Sequence, residues 1–376
     1  MVSYPSDWKI GKIIDFANIT TGYRDVKDRV NHGKYPFFVR SNDIEKIDLY
    51  DFDCEAVLTA GDGGIGKIFH YINGKFAAHQ RVYVINNFRE IDGKFFYYYF
   101  SKNFLYEVQK YTAKSTVDSV RMPMIERMEI PIPSIEEQKS IVFALSSFDE
   151  HIKNLGKLIE KKKSMRDGAI ENLLSGSIRL SNYKDEWVEK PLEEISDIYD
   201  GTHQTPTYTL RGIRFVSVEN ITDIYSSNKY ISHSDFIKDF KNKPGKNDVL
   251  LTRIGTIGES TVVTTNEEIA YYVSLALLKN IRINSSFLNH YIGTKKFKKE
   301  LDDRTLHHAT PKKINKGDIG KCMVRFPLNE DEQKEIAGLL TSMNDEINDL
   351  EKEKNKIIQI REGAMAELLS GYVRIK

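Results

Sequence analysis

Cysteine is scarce: Cys54 and Cys322 are the two in the chain, far apart and with no Cys-x-x-Cys spacing. That excludes a disulfide framework and a cysteine-based zinc site, and points to buried thiols in a reducing compartment. Excess charge is lacking as well. With 55 Lys and Arg against 54 Asp and Glu the formal net charge is +1, so no strongly basic balance announces a nucleic-acid binder and any such site must be a local patch. No run approaches the ~18 apolar residues of a membrane span, and Met1 to Lys12 has no apolar signal-peptide core. A cytoplasmic protein without a membrane partner is expected.

Catalytic signatures are missing too. There is no Gly-x-Ser-x-Gly, no His-Glu-x-x-His and no Asn-Pro-Pro-aromatic sequence, and His307-His308 is adjacent rather than spaced for one helix face. Gly61-Asp62-Gly63-Gly64-Ile65-Gly66-Lys67 has the spacing of a nucleotide-binding loop, but Ile68 stands where Ser or Thr would hold Mg²⁺. Its counterpart Gly255-Thr256-Ile257-Gly258 lacks the lysine. Two other readings suit the stretch: a turn between strands, or a Gly-rich loop whose amides and Lys67 approach DNA phosphate. Glu137-Gln138-Lys139 and Glu332-Gln333-Lys334 mimic the end of a nuclease site, yet they occupy helix first turns, where capping explains the Glu. No catalysis, no cofactor and no metal are expected.

What the chain does have is a long internal repeat. Ser134 to Leu180 recurs without a gap, 195 residues on, as Asn329 to Ile375, with 18 of 47 positions identical. Ser134-x-x-Glu137 and Asn329-x-x-Glu332 start each copy as a capping box, and Leu-Leu-Ser-Gly ends each at Gly176 and Gly371. Between them Ile141, Leu145, Phe148, Ile152, Leu155 and Ile159 step by four and three, and Ile336, Leu340, Met343, Ile347 and Leu350 do the same, as a heptad seam requires. Arg166 and Arg361 interrupt the seam at equal depth, either as snorkelling or register-setting charges or as a docking site for a partner. Gly168 and Gly363 each cost up to about 1 kcal/mol against Ala in a helix, for which close helix approach or a local bend would be a reason.

At 376 residues the length allows two or three domains, and the repeat points to two. Each half opens on a Trp, Trp8 or Trp187, and continues in short β-type runs. These are Phe37-Phe38-Val39, Ala56-Val57-Leu58, Lys67 to Tyr71 and Arg81 to Ile85 in the first half, and Arg214 to Val218, Asp248 to Leu251, Ser260 to Val263 and Tyr272 to Leu278 in the second. A helix follows in each, Lys94 to Tyr111, whose aromatic run is expected to be core, and about Ser286 to Leu301, ending in the Lys295 to Lys299 run. The expected division is globule one at 1–133, helix at 134–180, globule two at 181–328 and helix at 329–376. If the second helix pairs with the first it must run back, so the class is α+β: two globular domains joined by two long antiparallel coiled-coil helices with pseudo-twofold symmetry.

This arrangement resembles the specificity (S) subunit of type I restriction-modification enzymes, over nearly the whole chain. The residues that carry the resemblance are Asp200-Gly201-Thr202-His203-Gln204-Thr205-Pro206, Gly212 to Ile221, Asp248 to Gly258, Ile132-Pro133-Ser134-x-x-Glu137-Gln138-Lys139 and Phe326-Pro327-x-x-x-Glu332-Gln333-Lys334. The first globule departs from it, with Thr20-Thr21-Gly22-Tyr23-Arg24 in place of the Asp-Gly-Thr-His stretch. The resemblance implies a non-catalytic adaptor with two target-recognition domains, each reading half of a split double-stranded DNA site. It also implies docking of two methyltransferase subunits and, through these, two restriction/translocase subunits.

Side chains suited to bases or phosphates lie in loops beside the expected strands. In globule one they are Arg24, Lys27, Arg29, Arg40, Lys67, His79, Gln80, Arg81, Lys114 and Ser115; in globule two, His203, Gln204, Thr205, Arg253, Thr256, Lys295, Lys296, Lys312 and Lys313. Arg166 and Arg361 are the candidates for partner binding. The competing reading is a non-catalytic scaffold whose globules bind protein rather than DNA, and the near-neutral charge is its support.

Overall fold

In the computed structural model, residues 4–111 and 119–375 are described. The chain divides into two compact units, one of residues 1–156 with 353–376, the other of residues 157–352. Each long helix therefore begins in one unit and ends in the other. The helices span Ile135–Ser175 and Glu330–Ser370, 41 residues each, and both stop where predicted, at Gly176 and Gly371 with φ +72°. These glycines are required twice over. A Cβ at Gly176 would lie 3.2 Å from the Trp187 ring, and one at Gly371 would lie 2.5 Å from Pro5.

The helices pair antiparallel within each unit. In the first, Asp149 meets Arg361 at 2.8 Å and His151 meets Glu353 at 3.7 Å. In the second, Lys162 meets Glu346 at 2.6 Å and Arg166 meets Asn344 at 3.3 Å. Seam residues Ile141, Leu145, Leu155, Ile159, Ile336, Leu340 and Ile347 are buried. Gly168 and Gly363 differ from expectation: both are exposed, and an added Cβ would meet nothing within 4 Å. Close approach is not their reason.

Unit one holds a six-stranded sheet in the order Asn18–Thr21, Val82–Asn86, Phe52–Ala60, Phe69–Ala78, Tyr35–Phe38, Ile44–Ile47, antiparallel except where Tyr35–Phe38 runs alongside Phe69–Ala78. The aromatic helix, Gly93–Gln109, is capped by Asp92, which accepts from the Lys94 and Phe95 amides at 2.9 Å. Phe95, Phe96, Phe100 and Phe104 are core, as expected. They share one cluster with Val57 and Ile85 of the sheet and with Ile141, Leu145, Met365 and Leu368 of the long helices.

Unit two repeats this plan with two four-stranded sheets. Strand Phe69–Ala78, with Gly74 at φ +134°, is there split into Ser260–Val262 and Ile269–Tyr271. The pairing registers align the units residue by residue: Val57 with Val249, Val84 with Leu277, Phe38 with Val216. The helix expected from Ser286 to Leu301 is two, Ser285–Ile292 and Lys295–Asp303. Gly293 ends the first, and Thr294 caps the second by accepting from the Phe297 amide at 3.2 Å. The lysine run thus begins a helix rather than ending one.

Both long helices are anchored by their Glu-Gln pairs. The capping boxes form by half: the Ser134 hydroxyl and the Asn329 side-chain Oδ1 accept the Glu137 and Glu332 amides at 3.3 Å. The two carboxylates are engaged elsewhere. Glu137 is buried between Arg374 and the Trp8 indole N–H, which donates at 3.2 Å; Glu332 is buried against Arg179, at 3.0 and 2.6 Å. The tail after each helix thereby grips the start of the other. Gln138 accepts the Asp92 amide at 2.7 Å and Gln333 the Asn284 amide at 2.7 Å, tying each long helix to the cap of its globule's own helix.

Candidate nucleic-acid interface

The stretch Gly61 to Lys67 joins two antiparallel strands, Phe52–Ala60 and Phe69–Ala78. A nucleotide-binding loop opens a helix instead, so the turn reading fits the fold. Gly63, Gly64 and Gly66 have φ +59°, +90° and +68°, and Gly255 and Gly258 of unit two have +84° and +90°. A similar turn thus serves both units, one residue shorter in unit two, while its side chains differ: counted from the strand before it, Asp62 corresponds to Ile254 and Lys67 to Glu259.

Around this turn unit one gathers several expected residues. Arg24 forms a bridge with His79, and the Gln80 amide donates to the Arg24 carbonyl at 2.9 Å. The Gly61 amide donates to the Arg81 carbonyl at 2.8 Å. Asp62 receives Arg40 at 2.5 Å and Arg81 at 2.8 Å. The Arg40 guanidinium, then that of Arg81, hold its carboxyl below the usual range against burial. His79 is buried, and its Nδ1 accepts the Arg81 amide at 3.0 Å; burial and the nearby Arg40 charge push its pKa down, which favours the neutral imidazole. Arg24 is committed inside the unit, with Nε and Nη2 both on Asp51 at 2.5–3.0 Å. Lys27, Lys67 and Gln80 are exposed, as is Arg29, which reaches Glu45 at 3.4 Å. Lys114 and Ser115 lie outside the described residues.

Unit two builds the same place from Asp200-Gly201-Thr202. Thr202 bridges to Tyr272 as Arg24 does to His79, and a Cβ at Gly201 would lie 2.5 Å from the Tyr272 backbone, as one at Gly22 would lie 2.1 Å from the Ala78 carbonyl. Thr20 to Arg24 thus fills the place of the Asp-Gly-Thr-His stretch. His203, Gln204 and Thr205 follow it, exposed. The Gly255 amide donates to the Lys312 carbonyl at 2.9 Å and Ile254 bridges to Lys313, which brings exposed Thr256, Lys312 and Lys313 together. Arg253 is only 6% exposed, its guanidinium bound to Asp200 and to the Ile314 carbonyl. It braces the site from inside. Lys295 and Lys296 stand apart from this group: the Lys295 amide donates to Glu171 of the first long helix at 3.2 Å, and Lys296 pairs with Glu189 at 2.5 Å.

Arg166 and Arg361 are occupied within the helix pair. Arg361 binds Asp149 and Glu362 and lies over the Tyr98 ring, 5.9 Å from its centroid; Arg166 binds Asp167 and Asn344. Their geometry is that of seam packing. Sequence reasoning missed the clamps of Glu137 with Arg374 and Glu332 with Arg179. Their signal was present, since both Glu and both Arg recur at the 195-residue offset. It missed Asp62 as well. Among the described residues no three His, Cys, Asp or Glu are grouped to hold a metal, and no helix is long and apolar enough to cross a membrane.

A family model described as the type I restriction modification DNA specificity domain matches twice, over residues 5–162 and 184–360. The chain is 22% identical, over 99% of its length and 94% of the relative's, to the type I restriction enzyme MjaVIII specificity subunit of Methanocaldococcus jannaschii. It is 33% identical, over 38% of its length and 31% of the relative's, to the type I restriction enzyme EcoDI specificity subunit of Escherichia coli. The fold is that of the type I restriction-modification S subunit from M. genitalium, which superimposes over 96% of both chains with TM-score 0.68 at 18% identity. With a globule and part of its long helix in each of two matched stretches, the chain belongs to the type I restriction-modification DNA specificity family.

Proposed function

We propose that the chain is the sequence-reading subunit of a cytoplasmic type I restriction-modification complex, each globule binding one half of a split double-stranded DNA site. The long helices set the unread spacer and dock two methyltransferase subunits, which carry two restriction/translocase subunits in turn. The chain itself supplies no catalysis. One contrast carries this reading. A common frame recurs in both units while its loop side chains change, with Arg24 against Thr202, Asp62 against Ile254 and Arg81 against Ser274. Two half-sites of different sequence ask for that, since base contacts specify and the frame only positions them. Helices that repeat their anchoring residues suit two copies of one partner.

Inserting about four residues, roughly one turn, into both long helices is expected to lengthen the recognised spacer and leave both half-sites alone. Methylation mapping with changed half-site bases and an unchanged spacer would sink the proposal. Co-expression with a methyltransferase subunit tests it against a protein-binding scaffold. Salt-sensitive retention of specific DNA by the complex supports DNA reading, and retention of protein alone opposes it.

A further inference from the structure

The arginines at the turn end of each globule can be sorted by the donors they have left. Arg24 has given Nε and Nη2 to Asp51, and Arg253 has given Nε to a carbonyl and Nη1 to Asp200. Arg40 and Arg81 are different. Each gives only Nη1 to Asp62, at 2.5 and 2.8 Å on separate carboxylate oxygens, and no other hydrogen bond among the described residues engages either guanidinium. Side-chain exposure is 37% for Arg40 and 61% for Arg81, against 23% for Asp62. The Nε–Nη2 edge left on each is a pair of parallel N–H donors, the fork that matches O6 and N7 of guanine in the major groove.

The support beneath this pair is hydrogen-bonded. Asp62 sits at the start of the Gly-rich turn, and the backbone from which Arg81 projects is held on both sides, its amide by His79 and its carbonyl by the Gly61 amide. In unit two the register-equivalent positions of Arg40, Asp62 and Arg81 are Val218, Ile254 and Ser274. Among the described residues no guanidinium pair occupies these positions. The same frame thus carries two different chemistries at one place.

We infer that Arg40 and Arg81 read guanine through their free edges, and that Asp62 is the positioning residue that holds them at fixed spacing. The half-site bound by the first globule then contains guanine, while the second half-site is not read by arginine at this place. The inference rests on the proposal that the globules read DNA.

The test uses the full chain in its complex with methyltransferase subunits, with binding sites selected from random duplexes at several salt concentrations. Arg40→Ala and Arg81→Ala are each expected to relax the preference for guanine at one position by about 5- to 150-fold, with the second half-site unchanged. Arg40→Lys and Arg81→Lys keep the charge but not the fork, so they should not restore the preference. Asp62→Asn should weaken guanine discrimination at both positions with the salt slope unchanged. A wild-type first half-site without guanine would overturn the inference. So would alanine variants that weaken all sequences alike and reduce the salt slope by about one, with lysine restoring both, because that is the behaviour of a phosphate contact. Uniformly tighter binding by Asp62→Asn would reduce Asp62 to a masking charge and end its positioning role. Absence of any sequence-specific binding by the wild-type complex is a separate failure, that of DNA reading itself.

Discussion

Replacing Gly168 and Gly363 with alanine should stabilise the protein. Both lie well inside 41-residue helices, both are exposed, and an added Cβ would meet no atom within 4 Å. Glycine in a helix interior costs about 0.5–1 kcal/mol against alanine, mainly through the freedom it has when unfolded. Gly168 belongs to the unit of residues 157–352 and Gly363 to the other, so each substitution acts on its own unit and the double variant should show both gains. For units of this size a gain of about 1 kcal/mol raises Tm by about 2–4 °C. Differential scanning calorimetry of the single variants and the double variant measures this directly. An unchanged or lowered Tm for either single variant would refute the reasoning, and would mean that the glycine serves a bend or an approach after all.

The remaining predictions concern the helix anchors, pH and the Gly-rich turn. Arg361→Ala should destabilise unit one by on the order of 1 kcal/mol, a figure already reduced because Asp149 is 40% exposed; Arg166→Ala should cost less, since its partner across the seam is the neutral Asn344 at 3.3 Å. Urea unfolding of the two variants gives the comparison. Glu137→Ala should lower Tm, change Trp8 fluorescence and speed proteolysis of the tail that holds Arg374, because it removes the carboxylate both side chains bind; a tail as resistant as wild type would count against the clamp. His70, His79 and His290 are pushed below their ordinary pKa mainly by burial. The unfolded chain therefore binds more protons, and stability should fall as pH drops through about 6.5 toward the lowered folded values. Asp62, with its pKa lowered chiefly by Arg40, should contribute fully above about pH 4 and be lost below that, as pH falls through its folded value. Lys67→Ala should leave ATP hydrolysis by the assembled complex unchanged, since the turn joins strands and opens no helix.

What could be read in the sequence was mostly local and periodic. The repeat located both long helices, the capping signals and terminal glycines marked their ends, and the aromatic run of residues 95–100 was recognisable as core. Side-chain commitments made across long separations were not legible. Glu137 looked like a capping residue because Ser134 is three positions away, yet its partner Arg374 is 237 residues on. Arg24 and Arg253 looked free for DNA because nothing nearby in the chain announces Asp51 or Asp200. The helix expected through Ser286 to Leu301 broke at Gly293 because Thr294 offers a better start, a choice between two local signals that the apolar period alone does not decide. At Gly168 and Gly363 close helix approach fails for the opposite reason: a helix interior suggests crowding, and only the packing reveals open space beside them.

One chain that reads two half-sites across a spacer set by its helices should mark the genome with a split motif. Genome-wide mapping of adenine methylation in the host, with this chain present and absent, tests it most directly. A set of methylated adenines is expected to vanish with the chain and to lie in a split motif, two short constant sequences flanking an unread spacer of fixed length. A chain-dependent motif that is continuous, or methylation that does not depend on the chain, would contradict it.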